Sequence, residues 1–191
     1  MIALAHSMGG HILLRFLHEY GKRITCAVLT APMVAINLGG VPSWVARSVA
    51  FGANLRGPSQ AFVFGAAAHD PLEIPFEQNT VTSDRGRYRR TQAILKEKPY
   101  LRIFGPTFSW LKAALGSVAQ IRRPSFARKI DVPLLVEGAG RDRVVPTQAI
   151  RDYVKLLPDC AYVELRDAEH EILMETDAVD RKSTRLNSSH T

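Results

Sequence analysis

Residues 1–20 constrain the fold more than any other stretch of the chain: Met1-Ile-Ala-Leu-Ala-His-Ser-Met-Gly-Gly-His-Ile-Leu-Leu-Arg-Phe-Leu-His-Glu-Tyr20. A short apolar run, Ile2 to Ala5, meets a tight turn through His6-Ser7-Met8-Gly9-Gly10 and leaves as a helix. Ile12, Leu13, Phe16 and Leu17 recur at helical spacing, which predicts an inward face. A buried strand, a small-residue turn centred on a serine and then a helix form the pattern that presents a nucleophilic hydroxyl. The turn forces Ser7 into a strained backbone conformation and lifts its hydroxyl clear of the strand. Small residues two before (Ala5) and two after (Gly9) let neighbouring backbone pass close by. The first of these is usually glycine, and alanine here is a departure. The competing reading is a glycine-rich structural turn.

Composition narrows the alternatives. A chain of 191 residues can bury one real core, and 46% hydrophobic with 23% charged residues fits an ordinary globular domain. No apolar run reaches the roughly 18–20 residues that span a bilayer. The opening residues lack the basic segment of a signal peptide. Of the 25 Lys and Arg, three fall in 181–191, so upstream of Arg181 22 stand against 18 acids, an excess of +4. That excess permits weak contact with an anionic membrane surface but is no nucleic-acid footprint. Local groups such as Arg87, Arg89 and Arg90, or Arg122 and Arg123, read as solvated basic faces. Cys26 and Cys160, 134 residues apart in strand-like runs, read as buried free thiols. The expected location is cytoplasmic, with peripheral contact at the inner membrane face allowed by the charge.

Further strands are expected at Ile24–Thr30, Val132–Gly138 and Cys160–Leu165, each an apolar run bounded by turn residues. With the opening helix and Gly21 as its stop, the first two strands make a βαβ unit. About a hundred residues between Ala31-Pro32 and Val132 lack strand alternation and read as a helical insertion, about 35–128. Helices are expected over 41–55 (Trp44, Val45, Val49 and Phe51 on one side), 85–98 (Thr82 or Ser83 as cap) and 108–121. Another should run from 147 to 157, and a last should start at 171–180. The fold class is therefore α/β: a mostly parallel sheet in one domain over 1–180, with a helical insertion. Residues 181–191 are polar and without apolar period, and are expected to be non-native or disordered.

A serine hydroxyl needs a histidine to take its proton and an acid to orient that histidine. In the strand–elbow–helix template, acid and then histidine follow the serine, each on a loop beyond a strand's carboxyl end. Among the six histidines, His6 lies within the elbow and cannot turn back on Ser7. His11 and His18 share the elbow helix and face helical neighbours or solvent. His69 is a loop residue and His190 lies in the tail. His170 directly follows the last strand and is the expected general base. Asp142, beyond Val132–Gly138, is the expected acid; Asp131 precedes its strand, Asp152 and Asp159 read as solvated, and Asp167 shares the histidine's loop. The Met8 backbone N–H, at a helix start, is the expected oxyanion donor. A second donor is expected from a loop upstream of Met1.

These motifs resemble the lysophospholipase/monoacylglycerol-lipase branch of the α/β-hydrolase superfamily, grouped with serine aminopeptidase S33-like hydrolases. The resemblance rests on Ala5-His-Ser-Met-Gly-Gly10, Thr82-Ser-Asp84 with Arg87-Tyr88, Gly105-Pro-Thr-Phe-Ser-Trp110, Gly140-Arg-Asp-Arg-Val-Val145 and His170-Glu-Ile-Leu-Met-Glu175. The middle two are closest to bacterial lysophospholipase L2-like proteins. The resemblance implies a triad of Ser7, Asp142 and His170, a helical lid within the insertion, a lipid-like ester substrate, and no cofactor or metal. The family carries strands and an oxyanion loop before the elbow, so the reading expects this chain to be part of a longer product. The alternatives are an S33-type peptidase or small-ester esterase, and an inactive fragment or non-catalytic hydrolase-like binding module.

Overall fold

The computed structural model describes residues 1–56, 60–63, 70–181 and 183. His69, His190, part of the loop expected over 57–75 and most of the polar tail lie outside the described residues. The chain divides into two compact units: one of residues 1–37, 80–84 and 118–191, the other of 38–79 and 85–117.

The first unit is built on four parallel strands in the order β1-β2-β3-β4: β1 Ile2–His6, β2 Cys26–Thr30, β3 Leu134–Ala139 and β4 Cys160–Leu165. The expected runs become these strands because parallel strands are covered on both faces and tolerate unbroken apolar sequence. All six residues of β3 and the last four of β2 are buried. Register pairs His6 with Thr30, Thr30 with Glu137 and Glu137 with Val163. This unit includes α1 Ser7–Tyr20, the last turn of α4 Phe108–Ile121, α5 Pro124–Ala127 and α6 Thr147–Val154. (α2 Ser43–Arg56 and α3 Arg85–Glu97 belong to the second unit.) Leu14, Leu17, Leu29, Ile121, Ile130, Ile150 and Ile172 are fully buried. Each contributes about 1.5–3 kcal/mol through apolar area removed from water.

The inward face of α1 is rotated from the one the periodicity predicts. Gly10, His11, Leu14 and Leu17 are buried, whereas Ile12 is 57% exposed. Gly10 explains the rotation: a Cβ there would lie 3.0 Å from the Pro32 Cβ, so the helix approaches the chain after β2 along its glycine. At Gly9 the nearest atom, the Ala5 Cβ, is an ordinary 3.9 Å away. Gly21 is right-handed (φ −52°) rather than a left-handed stop, and its place is set by Val132, 3.0 Å from where a Cβ would be. His11 and His18 are not solvent-facing. His11 Nδ1 lies 2.9 Å from the Met33 carbonyl oxygen, and His18 stacks on Phe126 with ring centroids 3.8 Å apart. After β4, a 3₁₀ turn at Ile172–Met174 precedes helical residues 177–181 and 183. Ser183, inside the stretch expected to be disordered, is buried and donates to Glu137 Oε2 at 2.6 Å.

The second unit holds α2 Ser43–Arg56, α3 Arg85–Glu97 and the first turns of α4, with a single antiparallel bridge between Phe62 and Thr107 among the described residues. Its α2 buries Ala46 and Ala50 and leaves Trp44 (70%), Val49, Phe51 and Leu55 exposed, the reverse of the apolar face expected from size. Tyr88 on α3 is buried and donates its hydroxyl to the Ile74 carbonyl at 2.7 Å. No described helix is long and apolar enough to cross a membrane.

Burial holds the His11 imidazole below its ordinary value of 6.5. The unfolded chain therefore takes up a proton that the folded chain refuses, and stability falls as pH drops below 6.5. Urea denaturation between pH 7.5 and 5.5 should show this slope. His11→Gln should flatten it by up to about 1.4 kcal/mol per pH unit.

Candidate active site

Three strands deliver the site. Ser7 is the first residue after β1 and has a positive φ of 50°, one of two non-glycine residues with positive φ among those described. A left-handed serine at the junction between strand and helix is strained, by about 1–3 kcal/mol, and this is the sharp turn expected of the opening stretch. It aims Oγ at His170 Nε2, 2.8 Å away. His170 Nδ1 lies 2.7 Å from Asp142 Oδ2. Both partners are withdrawn from water, with side-chain exposures of 5% for His170 and 0% for Asp142. The other Asp142 oxygen, Oδ1, accepts from the Val144 and Val145 amides, each at 2.8 Å, so the carboxylate is fixed in one orientation. With Nδ1–H donated to Asp142, the ring's Nε2 lone pair faces the serine, the tautomer that proton abstraction requires.

The loops beyond β3 and β4 hold each other. Gly140 N–H donates to the Leu165 carbonyl and Arg141 N–H to the Ala168 carbonyl, each at 2.9 Å, while Thr147 Oγ1 closes the acid loop onto Ala139 O at 2.6 Å. Thr147 is the first residue of α6, as expected for a helix starting at 147.

The other aspartates fall away on position. Asp167 is exposed and paired with Arg141 at 2.8 Å, and Asp152 with Lys155 at 3.0 Å. Met8 is the second residue of α1, so its N–H is one of the helix-start amides with no intrahelical partner. Among the described residues no group of three or more His, Cys, Asp or Glu side chains is placed to hold a metal ion. Cys26 and Cys160 are free, and burial pushes the Cys160 thiol up to about 12.

The periodicity gives no hint of a second layer beside Ser7, His170 and Asp142. His6 does not face Ser7; its Nδ1 lies 3.0 Å from Thr30 Oγ1, its Nε2 3.4 Å from Glu171 Oε2, and its ring 4.9 Å from that of His170. The His6 ring holds the Glu171 carboxyl below the usual carboxylate range. The signal that could have found this pair is the doubling of His6-Ser7 with His170-Glu171, since the two dipeptides meet as soon as Ser7 meets His170.

A family model described as serine aminopeptidase, S33, matches residues 1–177. The chain belongs to this family. It is similar to the probable lysophospholipase L2 of Haemophilus influenzae, with 29% identity over 178 residues covering 93% of this chain and 55% of that protein. It is 30% identical to lysophospholipase L2 of Escherichia coli K12, covering 92% of this chain and 53% of that protein. The chain thus spans about half the length of the curated relatives it matches. Among solved structures it is similar in fold to a monoglyceride lipase from Saccharomyces cerevisiae, with a TM-score of 0.70 and 16% identity over 97% of this chain and 59% of that one. It is likewise similar to the monoacylglycerol lipase of Paleococcus ferrophilus, with a TM-score of 0.67 and 19% identity over 100% and 68%. The fold is that of the α/β-hydrolases, from the strand bearing the elbow onward.

The acid loop depends on a glycine that no other residue can replace. A Cβ on Gly140 would stand 2.4 Å from the Arg166 carbonyl oxygen and 2.6 Å from its Cα, both backbone atoms. Gly140→Ala should lower the unfolding free energy by about 1–3 kcal/mol in urea titration. A midpoint equal to that of the unsubstituted protein would contradict the described contact.

Proposed function

We propose that this protein is a serine hydrolase that cleaves carboxylic esters of lipid-like substrates, a lysophospholipid or monoacylglycerol, through an acyl-enzyme intermediate. The observation that carries the reading is the unbroken hydrogen-bond chain from Ser7 through His170 to Asp142, with the serine strained outward at a helix start. His170 takes the Ser7 proton at Nε2 as Oγ attacks the carbonyl carbon. Asp142 stabilises the resulting imidazolium through Nδ1–H, and Met8 N–H donates to the oxyanion. Collapse of the intermediate sends the proton from Nε2 to the departing alcohol and leaves the acyl group on Ser7. A water molecule then attacks, its proton passing to His170, and releases the carboxylic acid with Ser7 restored. The lipid class is supported by relatives named lysophospholipase L2 and by structural neighbours that are monoglyceride and monoacylglycerol lipases. The family description, serine aminopeptidase, favours peptide-bond hydrolysis as the second reading.

Ser7→Ala is expected to abolish labelling by a fluorophosphonate probe and to lower hydrolysis of a short p-nitrophenyl ester by at least about 10³-fold. Labelling at any other residue with Ser7 unmodified would remove Ser7 from the mechanism. A preference for N-terminal amide substrates over acyl esters would move the assignment to the peptidase.

Contact with an anionic membrane surface belongs to the same proposal. Residues 38–79 and 85–117 hold ten Lys and Arg against four Asp and Glu, while the other unit holds fifteen against fourteen. Nearly all the net positive charge is therefore in one unit. There, Arg47, Ser48 and Phe51 on α2 and Lys112 and Gly116 on α4 line a hollow of about 390 Å³, with the Lys112 ammonium 5.3 Å from the Phe51 ring. Trp44 and Leu55 are exposed on the same helix. The protein should co-sediment with vesicles containing phosphatidylglycerol and be released as salt rises. Removing both charges in Arg47→Gln with Lys112→Gln should weaken binding by about fivefold per charge. Equal binding to phosphatidylcholine vesicles would end the charge-driven reading.

A further inference from the structure

Two sequence runs, Thr82-Ser-Asp84 and Glu171–Glu175, take no part in the proton path, yet they meet around a buried carboxylate, with Ser83 closing it from the exposed side. Glu175 is 0% exposed and Thr82 4%. The Glu175 carboxylate receives four donors. Oε1 accepts from the Ser83 amide at 3.0 Å and the Glu169 amide at 2.9 Å; Oε2 accepts from the Ser83 hydroxyl at 2.5 Å and the Thr176 amide at 3.3 Å. Alongside, Thr82 Oγ1 donates to the Met174 carbonyl at 2.6 Å, and the Glu171 amide donates to the Val81 carbonyl at 2.7 Å. The expected caps Thr82 and Ser83 lie three and two residues before the first residue of α3, and Thr82 Oγ1 also accepts from the Asp84 amide at 3.1 Å.

The consequence falls on His170. The residue before it, Glu169, is held through its N–H by Glu175, and the residue after it, Glu171, is held through its N–H by Val81. Both neighbours of the imidazole-bearing residue are tied to one clip formed by residues 81–83 and Glu175. A carboxylate taken wholly out of water costs several kcal/mol unless donors meet its lone pairs. A loop that needed only packing would be served at least as well by an apolar side chain. Four converging donors make this carboxylate a fixed joint, and the part it fixes is the stretch that sets where His170 Nε2 lies relative to Ser7 Oγ.

We propose that Glu175, with Ser83, is a positioning residue: it clips segment 81–83 to the His170 loop and so holds the imidazole in reach of both Ser7 and Asp142. Glu175 touches neither Ser7 nor the His170 ring in any described hydrogen bond, so its effect passes through the loop. The kinetic part of the proposal rests on the reading of Ser7, His170 and Asp142 as a hydrolase triad. A displacement of about 1 Å at such a centre costs on the order of 100-fold in rate.

The test compares the unsubstituted protein with Ser83→Ala, Glu175→Gln and the double variant. It reads kcat and KM for a short p-nitrophenyl ester, and amide hydrogen exchange at Glu169 and Glu171 by NMR. Glu175→Gln keeps the volume but turns an amide NH₂ toward donors; Ser83→Ala removes one donor and leaves the backbone contacts. Expected are a kcat loss of about 10-fold for Ser83→Ala and about 100-fold for Glu175→Gln. KM should stay within about twofold, and exchange at both amides should be faster. Because the two side chains act as one unit, the double variant should be no slower than Glu175→Gln alone. Losses that multiply across the pair, a kcat within twofold of the unsubstituted protein, or unchanged exchange at Glu169 each overturn the proposal. Should Glu175→Gln fail to fold, Ser83→Ala decides by the same two readouts. If Ser7→Ala leaves hydrolysis intact, the triad reading falls separately, and exchange at Glu169 and Glu171 still decides whether the clip holds the loop.

Discussion

The parallel pairing of β3 with β4 is the constraint on which the site depends. Parallel strands send their carboxyl ends to the same edge of the sheet, so the loop carrying Asp142 and the loop carrying His170 leave side by side. They tie to each other through the Gly140 and Arg141 amides before either reaches its functional side chain. β1 ends at that edge too and gives Ser7, while β2 supplies Thr30 as the partner of His6. A slip of one residue in any pair would turn the alternate side chains to the opposite face. The four strands are therefore the instrument that measures the distances of 2.8 and 2.7 Å between Ser7, His170 and Asp142.

Much of this was legible beforehand, for physical reasons that also mark the limit. Buried parallel strands read as unbroken apolar runs, and the runs at Cys26–Thr30, Leu134–Ala139 and Cys160–Leu165 lie within or one residue beyond the expected spans. Ser7, Asp142 and His170 were legible through order: a serine between strand and helix, then an acid and a base, each just beyond a strand. Helix faces were not legible. Periodicity favours large apolar residues, but α1 turns in on Gly10 because backbone approaches it closely, and on His11 because a carbonyl 22 residues away receives its ring nitrogen. In α2 the small Ala46 and Ala50 go inward and the large residues stay out. Nothing local tells Ser83 that its partner is Glu175, 92 residues on. A hydroxyl at that place reads as a cap until the tertiary partner is seen.

Three buried carboxylates in the first unit show how donor supply decides what an acid can do. Asp142 has one histidine and two amides, and its two oxygens have different tasks. Glu175 has four donors and serves as a joint. Glu137, in the middle of β3, accepts from the Ser183 hydroxyl; among the described residues its Oε1 has no hydrogen-bond partner, and burial pushes its carboxyl above the usual range. The same side chain type is orienting in one place, bracing in another and biased toward neutrality in the third. The difference lies in how many N–H and O–H groups the backbone brings within reach.

Among the described residues β1 pairs on one side only, with β2, so the height at which Ser7 leaves the sheet is set by a single ladder in which Ile2 to His6 face Cys26 to Thr30 one for one. β3 is gripped from both sides, by β2 and by β4, and the loop carrying Asp142 leaves it under two such ladders. Ser7 and Asp142 thus enter the site under different restraints, one ladder against two.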